Sequence, residues 1–507
     1  MASRISDPEQ PKISLLSRIF KQDPTKIDND NTREHLIDGD SSKQSYSLRA
    51  AILPFFFPAL GGLLYGYDIG ATSGATISLE SANLSGTTWY NLNSLEIGLV
   101  VSGSLYGALV GSSLAFAVAD YLGRRRELMF SSLAYLVGSL LTSLAPNFPV
   151  MVIGRLLYGI GIGLAMHAAP MYIAETAPSQ IRGTLISLKE FFIVIGMLFG
   201  YISSSLYVDI VAGWRYMYGT SVPVGLIMCF GMWWLPPSPR WLLLCVIQGK
   251  GNISSVRTTA ISCLCRLRGQ SIDDKASDEI DAILHEISHD GQQRQTTFWE
   301  IFRGKCLKAL FIGVGLLFFQ QVTGQPSVLY YAAKILQSAG FSAASDATRV
   351  SVLLGLLKLA ATGVAVLVVD RLGRRPLLIG GVSGIAFSLF LLSLYYTILK
   401  DLPAVAVVAL LLYVGSYQLS FGPIGWLMIS EIFPLRIRGR GLSIAVLVNF
   451  ATNALVTFAF SPLQELVGTG ILFAGFLVLA LISLVFILFF IPETKGLTLE
   501  EIEANVL

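Results

Sequence analysis

Residues 172–183 of the chain read YIAETAPSQIRG, and residues 428–439 read MISEIFPLRIRG. The acid, the proline, the last arginine and the glycine keep the same spacing in both copies, which lie 256 positions apart. A second pair, DYLGRR at 120–125 and DRLGRR at 370–375, repeats at an interval of 250 residues. Two motifs that recur at nearly one interval indicate two related halves within the chain.

Each motif follows an apolar stretch of about 20 residues, the length that a helix needs to cross a hydrocarbon core of roughly 30 Å. The chain has twelve such stretches, six on each side of a polar segment at 238–305. They lie near 50–77, 95–117, 127–145, 149–172, 184–206, 217–235, 308–333, 349–369, 376–398, 403–429, 441–461 and 470–491. We therefore predict an all-α membrane protein with twelve transmembrane helices in two six-helix halves. Duplication of this kind is typical of transporters.

The predicted organisation has five segments. They are a disordered cytosolic tail (1–48), a first six-helix half (49–237), a cytosolic helical linker (238–305), a second six-helix half (306–492) and a short cytosolic tail (493–507).

The composition fits a chain that is surrounded mainly by lipid. Of its 507 residues, 53% are hydrophobic and only 14% are charged, whereas soluble domains have about 25% charged residues. A net charge of +3 is too small to indicate a nucleic-acid partner. The five cysteines lack the spacing of a zinc site and are expected to be free thiols. Because nucleotide-loop and nucleophile motifs are also missing, we predict no enzyme activity, no metal and no cofactor.

The basic residues predict which side of the membrane each loop faces. Arginines cluster after the even-numbered spans, while the longest opposite loop, 78–93, has neither lysine nor arginine. Since cytosolic loops carry the excess of basic residues, both termini and all four motif copies are expected on the cytosolic side. Within the linker, Ile280, Ile283, Leu284 and Ile287 recur at helical spacing, which predicts an amphipathic helix.

Two charged residues lie inside predicted spans at similar depths towards the outer side. They are Asp68 in the first span and Arg155 in the fourth. A charge at the centre of a spanning helix costs at least roughly 2.5–3.5 kcal/mol, so it usually faces a partner or a cavity. A carboxylate whose partner moves can bind a proton in one state and release it in another. The alternative is a fixed structural ion pair.

Glu190 in the fifth span and Lys358 in the eighth are also intramembrane charges. Their long side chains predict a pair across the interface between the halves. The alternatives are that Glu190 is protonated, or that Lys358 faces water alone.

Polar and helix-breaking residues interrupt three spans of the second half. The seventh span contains QQVTGQPSVLYY at 320–331, the tenth contains FGPIGW at 421–426, and Asn449 and Asn453 share a face of the eleventh. Any one of these could join neighbouring helices by hydrogen bonds. Together they favour a cavity for a polyhydroxylated ligand, because an amide offers both a donor and an acceptor.

Five motifs occur together along the chain. They are Gly-Arg-Arg at 123–125 and 373–375, Pro-Pro-Ser-Pro-Arg at 236–240, Gln-Gln at 320–321, the Gly-Pro…Trp run at 422–426 and Pro-Glu-Thr-Lys-Gly at 492–496. In this combination the chain resembles the sugar porters of the major facilitator superfamily, and among them the plant D-xylose–proton symporter-like and vacuolar glucose transporters. The resemblance covers nearly all of residues 50–500.

The resemblance implies a rocker-switch carrier of monosaccharides and assigns roles to individual residues. Sugar-binding positions are Gln320, Gln321, Trp426 and Asn449, with Tyr65, Gly422, Glu190 and Asn453 lining the same cavity. The proton-coupling acid is Asp68, with Arg155 as its partner. The cytosolic charge network that closes the inner gate comprises Glu175, Arg182, Arg240, Glu431, Arg438, Asp120, Arg124, Asp370 and Arg374.

Three positions depart from the family pattern. Glu190 stands where the bacterial xylose symporter has a sugar-binding glutamine, and Pro326 stands where the family often has asparagine. Pro237 replaces the acid of the usual Pro-Glu-Ser-Pro-Arg motif, which removes one carboxylate from the cytosolic network.

The expected function is transport of a glucose- or xylose-class monosaccharide coupled to protons. The alternatives are facilitated diffusion, sugar–proton antiport on an organelle and, from another class, a non-transporting sugar sensor. The expected partners are the sugar, the proton and the bilayer, for a monomeric protein. The vacuolar membrane is favoured as its location, with the plasma or plastid membrane as alternatives.

Overall fold

The protein is represented by a computed structural model that describes residues 48–177, 181–247, 253–268, 274–293, 302–341, 343–399, 402–433, 438–495 and 502. Within these ranges the secondary structure is helical, without β-strands.

The first part of the chain forms seven helices. They are α1 (Leu48–Glu80), α2 (Ser94–Leu122), α3 (Arg124–Ser143), α4 (Phe148–Thr176), α5 (Arg182–Tyr207), α6 (Gly213–Gly219) and α7 (Ser221–Trp234). The linker follows as α8 (Pro239–Ile247), α9 (Ile253–Arg268) and α10 (Asp274–Gln293). The remaining helices are α11 (Gly304–Val322), α12 (Gln325–Tyr330), α13 (Ala332–Ser338), α14 (Ala344–Leu372), α15 (Arg374–Thr397), α16 (Pro403–Leu419), α17 (Phe421–Ile432), α18 (Arg438–Val467) and α19 (Thr469–Phe490).

Most of the twelve predicted spans are present as apolar helices. Within the described ranges, ten segments are long and apolar enough to cross a bilayer, and an eleventh is the bent pair Gly213–Trp234 and Pro239–Val246, which meet at 55°. The remaining predicted span, 127–145, corresponds to α3, which packs between α4 and α7. Its first turn, Arg124 to Glu127, is fully charged and lowers the mean hydropathy of this helix.

The seventh and tenth spans are broken, although not at the prolines. The break in the seventh lies between α11 and α12 at Gly324, whose φ of +95° favours glycine. Pro326 lies in the first turn of α12. The backbone N–H that proline lacks would have no partner within the helix at this position. The tenth span breaks at Ser420, and Pro423 similarly lies in the first turn of α17.

Small residues let the helices of the first half approach closely. A Cβ atom on Gly66 of α1 would lie 1.8 Å from the carbonyl oxygen of Ile193 on α5, and one on Gly196 of α5 would lie 2.0 Å from that of Leu63. In membranes such contacts replace the hydrophobic driving force that packs helices in water. The two halves meet where α2 packs on α18 and where α5 packs on α14.

The linker helices form a small hydrophobic core of their own. Leu243 of α8, Leu264 of α9 and Ile280 of α10 are buried together. Ile283 and Leu284 pack against this core, as the amphipathic pattern predicts, while the side chain of Ile287 lies outside the described residues. All five cysteines are free thiols, as expected.

The α1–α5 contact can be tested with a single methyl group. Gly66→Ala places its Cβ against backbone rather than a flexible side chain, so the helices must separate. We expect a loss of about 1–3 kcal/mol, typical of overpacking, seen as a lower Tm in detergent. Gly475→Ala in α19 is the matched control, because no atom lies within 4 Å of its added Cβ. Equal Tm values for the two variants would contradict the close contact.

Candidate functional site

The intramembrane charges of the first half form a buried ion pair. Oδ1 of Asp68 on α1 contacts Nη1 of Arg155 on α4. Ser104 on α2 donates a hydrogen bond of 2.7 Å to Oδ2 of Asp68. The side chains of Asp68 and Arg155 are only 2% and 1% exposed. Three helices therefore converge on one carboxylate, and the two residues that the sequence predicts as partners are in contact.

Arg155 has further acceptors besides Asp68. Its Nε donates to the carbonyl oxygen of Val100 at 2.9 Å, and its Nη2 donates to Val101 at 3.2 Å and to Ser104 at 3.0 Å. The guanidinium also lies 5.2 Å from the centre of the Tyr218 ring. These contacts hold the cation on α2 independently of the carboxylate.

A small polar cavity adjoins the ion pair. Its volume of about 10 Å³ is close to the space that one water molecule needs. Besides Asp68 and Arg155 it is lined by Tyr67, Ser139, Thr142, Tyr158, Tyr218 and Ser221. Hydroxyl-bearing side chains therefore line a space beside the pair that is large enough for a water molecule.

The amides of the second half meet around Gln320. Nε2 of Gln320 donates to the carbonyl oxygen of Phe421 at 2.8 Å, where α17 begins after the break. Nδ2 of Asn449 on α18 donates to Oε1 of Gln320 at 3.5 Å. The hydroxyl of Tyr417 on α16 also interacts with the Gln320 side chain. Gln320 thus joins α11, α16, α17 and α18 at one polar point.

Other predicted ligand-binding residues lie around the same region. Tyr65 of α1 interacts with the side chain of Asn453 on α18, and its ring centre lies 6.4 Å from that of Phe450. Trp426 of α17 and Tyr65 both pack on the edge of one hydrophobic cluster. Gly422 lies in the first turn of α17, next to Phe421. Tyr65 of the first half therefore lies against α18 of the second half.

Gln321 adds an acceptor that the protein does not use. Its side chain is 5% exposed, and its Oε1 has no hydrogen-bond partner among the described residues. A buried acceptor without a partner costs about 1–3 kcal/mol. A ligand hydroxyl would satisfy it.

The predicted pair of Glu190 and Lys358 is not formed, so this prediction is wrong for the present conformation. Glu190 contacts its neighbour Lys189 at 2.8 Å and is 52% exposed. Lys358 is buried, with its Nζ 5.9 Å from the centre of the Tyr417 ring. Pairing with the adjacent Lys189 on the same helix restricts the Glu190 side chain less than pairing with a residue of the other half would. Glu190 still lies within electrostatic reach of Tyr65.

The repeated motifs contact each other within each half. Nε of Arg124, at the start of α3, lies 3.1 Å from Oε1 of Glu175 at the end of α4. In the second half, Nη2 of Arg374 at the start of α15 lies 3.0 Å from Oε1 of Glu431 at the end of α17. Arg240 is half-buried at the start of α8. The side chains of Asp120, Arg182, Asp370 and Arg438 lie outside the described residues.

Comparison with known proteins gives the family. A model of the sugar (and other) transporter family matches residues 55–506. The chain belongs to this family. It is 66% identical over 502 residues to D-xylose-proton symporter-like 2 of Arabidopsis thaliana, a match that covers 99% of each chain. With D-xylose-proton symporter-like 1 of the same plant it shares 61% identity over 501 residues, again 99% of each chain.

Solved structures give the same result for the fold. A partially occluded inward-open structure of the xylose transporter XylE from E. coli matches with a TM-score of 0.74 at 28% identity, covering 89% of this chain and 100% of that chain. XylE is described as a major facilitator superfamily protein. The predicted all-α major facilitator fold of a multi-pass membrane protein is therefore confirmed, as is the prediction that the chain is a transporter and not an enzyme.

In the second half of the transporter, a carboxylate lies at the N-terminus of α15, the helix that begins with Arg374. Glu493 accepts hydrogen bonds of 2.9–3.0 Å from the backbone N–H groups of Arg374, Arg375, Thr494 and Lys495. Burial disfavours the charged carboxylate, but these four donors outweigh it and hold the pKa of Glu493 below its ordinary value. Glu493 thereby caps the N-terminus of α15.

At the related position the first half has a proline in place of this carboxylate. Pro237 lies 256 positions before Glu493, the same interval that separates Glu175 from Glu431. At the helix start, a Cβ on Gly123 would meet the ring of Trp241 at 2.5 Å, whereas one on Gly373 would meet Oε2 of Glu493 at 2.8 Å. The two related helix starts are therefore covered by an indole in one half and by a carboxylate in the other.

One buried polar contact was not predicted from the sequence. Nδ1 of His167 on α4 lies 2.8 Å from Oε1 of Glu127 on α3, and Glu127 is only 1% exposed. From the sequence alone, a lone histidine in this apolar span is interpreted as a packing residue. The sequence does contain a signal for this pair. Glu127 follows three arginines and lies where the helix enters the apolar layer.

The cap formed by Glu493 predicts a stability that depends on pH. Glu493→Gln should lower the free energy of unfolding by about 1 kcal/mol, as loss of an N-terminal cap does. Because folding lowers the pKa of Glu493, the stabilisation is fully present above the unfolded-state pKa of about 4.3 and is lost as the pH falls through the folded-state pKa. The Tm difference from wild type should thus be constant near neutral pH and shrink below about pH 4.

Thermal unfolding in detergent at a series of pH values measures this difference. Glu465→Gln, which changes an exposed acid in α18, is the matched control and should leave Tm unchanged throughout. A Glu493→Gln difference that persists undiminished in acid would show that the carboxylate charge is not its source.

Proposed function

We propose that the protein transports a monosaccharide of the glucose or xylose class, coupled to protons, by alternating access. The observation that carries the proposal is the buried Asp68–Arg155 pair on α1 and α4. In the same chain, an amide cluster of Gln320, Asn449 and Asn453 lies where the two halves meet. The names of similar proteins support the substrate class. The plant relative is named a D-xylose-proton symporter-like protein, and the bacterial neighbour is named a xylose transporter.

In the proposed proton step, Asp68 is the acceptor. When a proton binds the carboxylate, Asp68 loses its charge and with it the attraction to Arg155. Arg155 keeps the carbonyl oxygens of Val100 and Val101 as acceptors, so the cation remains on α2 while α1 is released. The small hydroxyl-lined cavity gives a water molecule access to the pair. Protonation thereby loosens a contact between spans of the first half.

In the proposed sugar site, side chains from both halves contact one ligand. Gln320, Gln321 and Asn449 would exchange hydrogen bonds with sugar hydroxyls, and the Trp426 ring would stack on an apolar sugar face. Tyr65, Asn453, Gly422 and Glu190 complete the proposed lining. Support comes from the contacts around Gln320 and from the unused acceptor of Gln321.

The cytosolic gate is proposed to consist of the paired motifs. The Arg124–Glu175 and Arg374–Glu431 contacts fix the ends of the helices on which they lie. Arg182, Arg240, Arg438, Asp120 and Asp370 are proposed to join them when the gate closes. We retain the five-segment organisation proposed from the sequence, because α8–α10 form a separate core between the two sets of spans.

We further propose a monomer in the vacuolar membrane with both termini in the cytosol. The arginine distribution supports the orientation. A plastid membrane is the main alternative, since a relative with 62% identity over 467 residues is named D-xylose-proton symporter-like 3, chloroplastic. With an acidic vacuole, proton flow into the cytosol would drive sugar out of the vacuole if the protein is a symporter and into the vacuole if it is an antiporter. Imaging of a fluorescent fusion against a tonoplast marker tests the location.

Asp68→Asn should separate coupling from transport. Asparagine retains an oxygen acceptor for Arg155 but cannot bind and release a proton, so uphill accumulation of labelled xylose or glucose in liposomes should disappear. Counterflow exchange, which needs no proton gradient, should persist and shows that the variant is folded. Asp346→Asn is the control, because this acid is exposed and pairs with Arg349 one turn away on the same helix. Accumulation by Asp68→Asn at the wild-type level would remove Asp68 from the coupling role.

Gln320→Ala should weaken sugar binding. Each hydrogen bond to the sugar contributes about 0.5–1.5 kcal/mol, so the loss of an amide donor and acceptor should raise the KM for sugar about tenfold. Gln464→Ala, which changes an amide that contacts Thr469 at the end of α18, is the control and should leave KM unchanged. An unaltered KM in Gln320→Ala, with counterflow still active, would place the sugar elsewhere.

A further inference from the structure

A second cavity lies away from the proposed sugar and proton sites. It has a volume of about 280 Å³ and lies between the end of α7, the start of α3 and the linker helix α9. Its lining includes Arg125, Arg266, Trp233, Trp234, Pro237 and Cys263. Among the residues that the structure describes, no acidic side chain lines it.

Two guanidinium groups converge on one end of this cavity. Nη2 of Arg125 donates to the carbonyl oxygen of Trp233 at 2.6 Å, and Nη2 of Arg266 donates to that of Trp234 at 2.8 Å. The end of a helix carries a partial charge of only about −0.5. Two full positive charges therefore face a cavity that no described acidic side chain lines.

The second half has a carboxylate at the start of the helix that carries the equivalent arginine. Nη2 of Arg375 donates to the carbonyl oxygen of Leu488 at 2.7 Å, just as Arg125 does at the end of α7. There the Glu493 carboxylate lies on the backbone N–H groups of Arg374 and Arg375. At the related position of the first half, Pro237 lines the cavity instead. The cavity thus lies where the second half has its carboxylate.

The chemistry of the cavity selects a phosphate group. Arginine presents a planar fork of donors that matches phosphate oxygens, and each of these guanidinium groups uses only one or two nitrogens on backbone carbonyls. Trp233 and Trp234 are 68% and 56% exposed, as expected of aromatic residues at a membrane interface. A lipid headgroup or a soluble phosphate would find the same donors.

We propose that this cavity binds a phosphate-bearing anion, which supplies to the first half the negative charge that Glu493 supplies to the second. The anion bridges Arg125 of α3 and Arg266 of α9. It therefore fastens the linker to the transmembrane helices of the first half. Binding at this site can be measured without sugar or a proton gradient.

Binding is tested on the purified full-length protein in detergent. The probes are inorganic phosphate, short-chain phosphatidic acid and, as a neutral-headgroup control, short-chain phosphatidylcholine, with Tm and Kd as readouts. We expect phosphatidic acid or phosphate to raise Tm, and Arg266→Gln to weaken that binding about tenfold or more, as loss of a charged hydrogen-bond partner does. Arg257→Gln on the same helix is the matched control, because its guanidinium pairs with Asp281.

The two sources are distinguished by which probe acts. A response to phosphatidic acid alone assigns the site to a lipid, and a response to inorganic phosphate at similar concentration assigns it to a soluble anion. If neither probe raises Tm above the phosphatidylcholine control, or if Arg266→Gln binds as wild type does, the proposal is wrong.

A second variant tests the comparison with the other half. Pro237→Glu restores a carboxylate at the position related to Glu493, so it should raise Tm without any ligand and reduce the response to the anionic probe at least tenfold. A Pro237→Glu protein that binds the probe with wild-type affinity would overturn the inferred equivalence of anion and carboxylate.

Discussion

A charge in the hydrocarbon region must find its partners within the protein, and the first half is arranged around this constraint. Arg155 has Asp68, Ser104 and two carbonyl oxygens of α2 as acceptors. These partners come within reach because α2 and α4 approach closely. A Cβ on Gly159 of α4 would lie 2.0 Å from the carbonyl oxygen of Ser104. Helix packing and the charged pair therefore depend on each other.

The two halves share a framework and differ in how its polar positions are filled. Arginine–glutamate contacts recur at the same ends of related helices, Arg124–Glu175 in one half and Arg374–Glu431 in the other. Beside them, one half has a built-in carboxylate and the other has Pro237 and a cavity. Duplication preserved the geometry of the helix ends, while the chemistry next to them diverged.

Much of this arrangement follows from the sequence. The apolar stretches predicted the spans, and two isolated charges at similar depths predicted the contact of Asp68 with Arg155, because lipid offers no other partners. The same reasoning failed for Glu190. Its exposed carboxylate has a cation next to it at Lys189, so the strong demand for a distant partner was absent.

Local backbone geometry and pairs near helix ends were harder to predict. The break of the seventh span required a residue with positive φ, which Gly324 supplies, and the nearby proline merely begins the next helix. The contact of His167 with Glu127 depends on the rotation of α3 against α4. A pattern along a single helix contains no information about that rotation.

The breaks at Gly324 and Ser420 also give two related pairs of spans different mechanical properties. The first and fourth spans are single helices of 33 and 29 residues, whereas the related seventh and tenth spans are each divided in two. An unbroken helix acts as a lever, since a displacement at one end moves the other end. A divided helix acts as a joint, which confines a displacement to one segment. The two spans that hold the ion pair are thus suited to transmit movement, and the two spans that hold Gln320 and Trp426 are suited to absorb it.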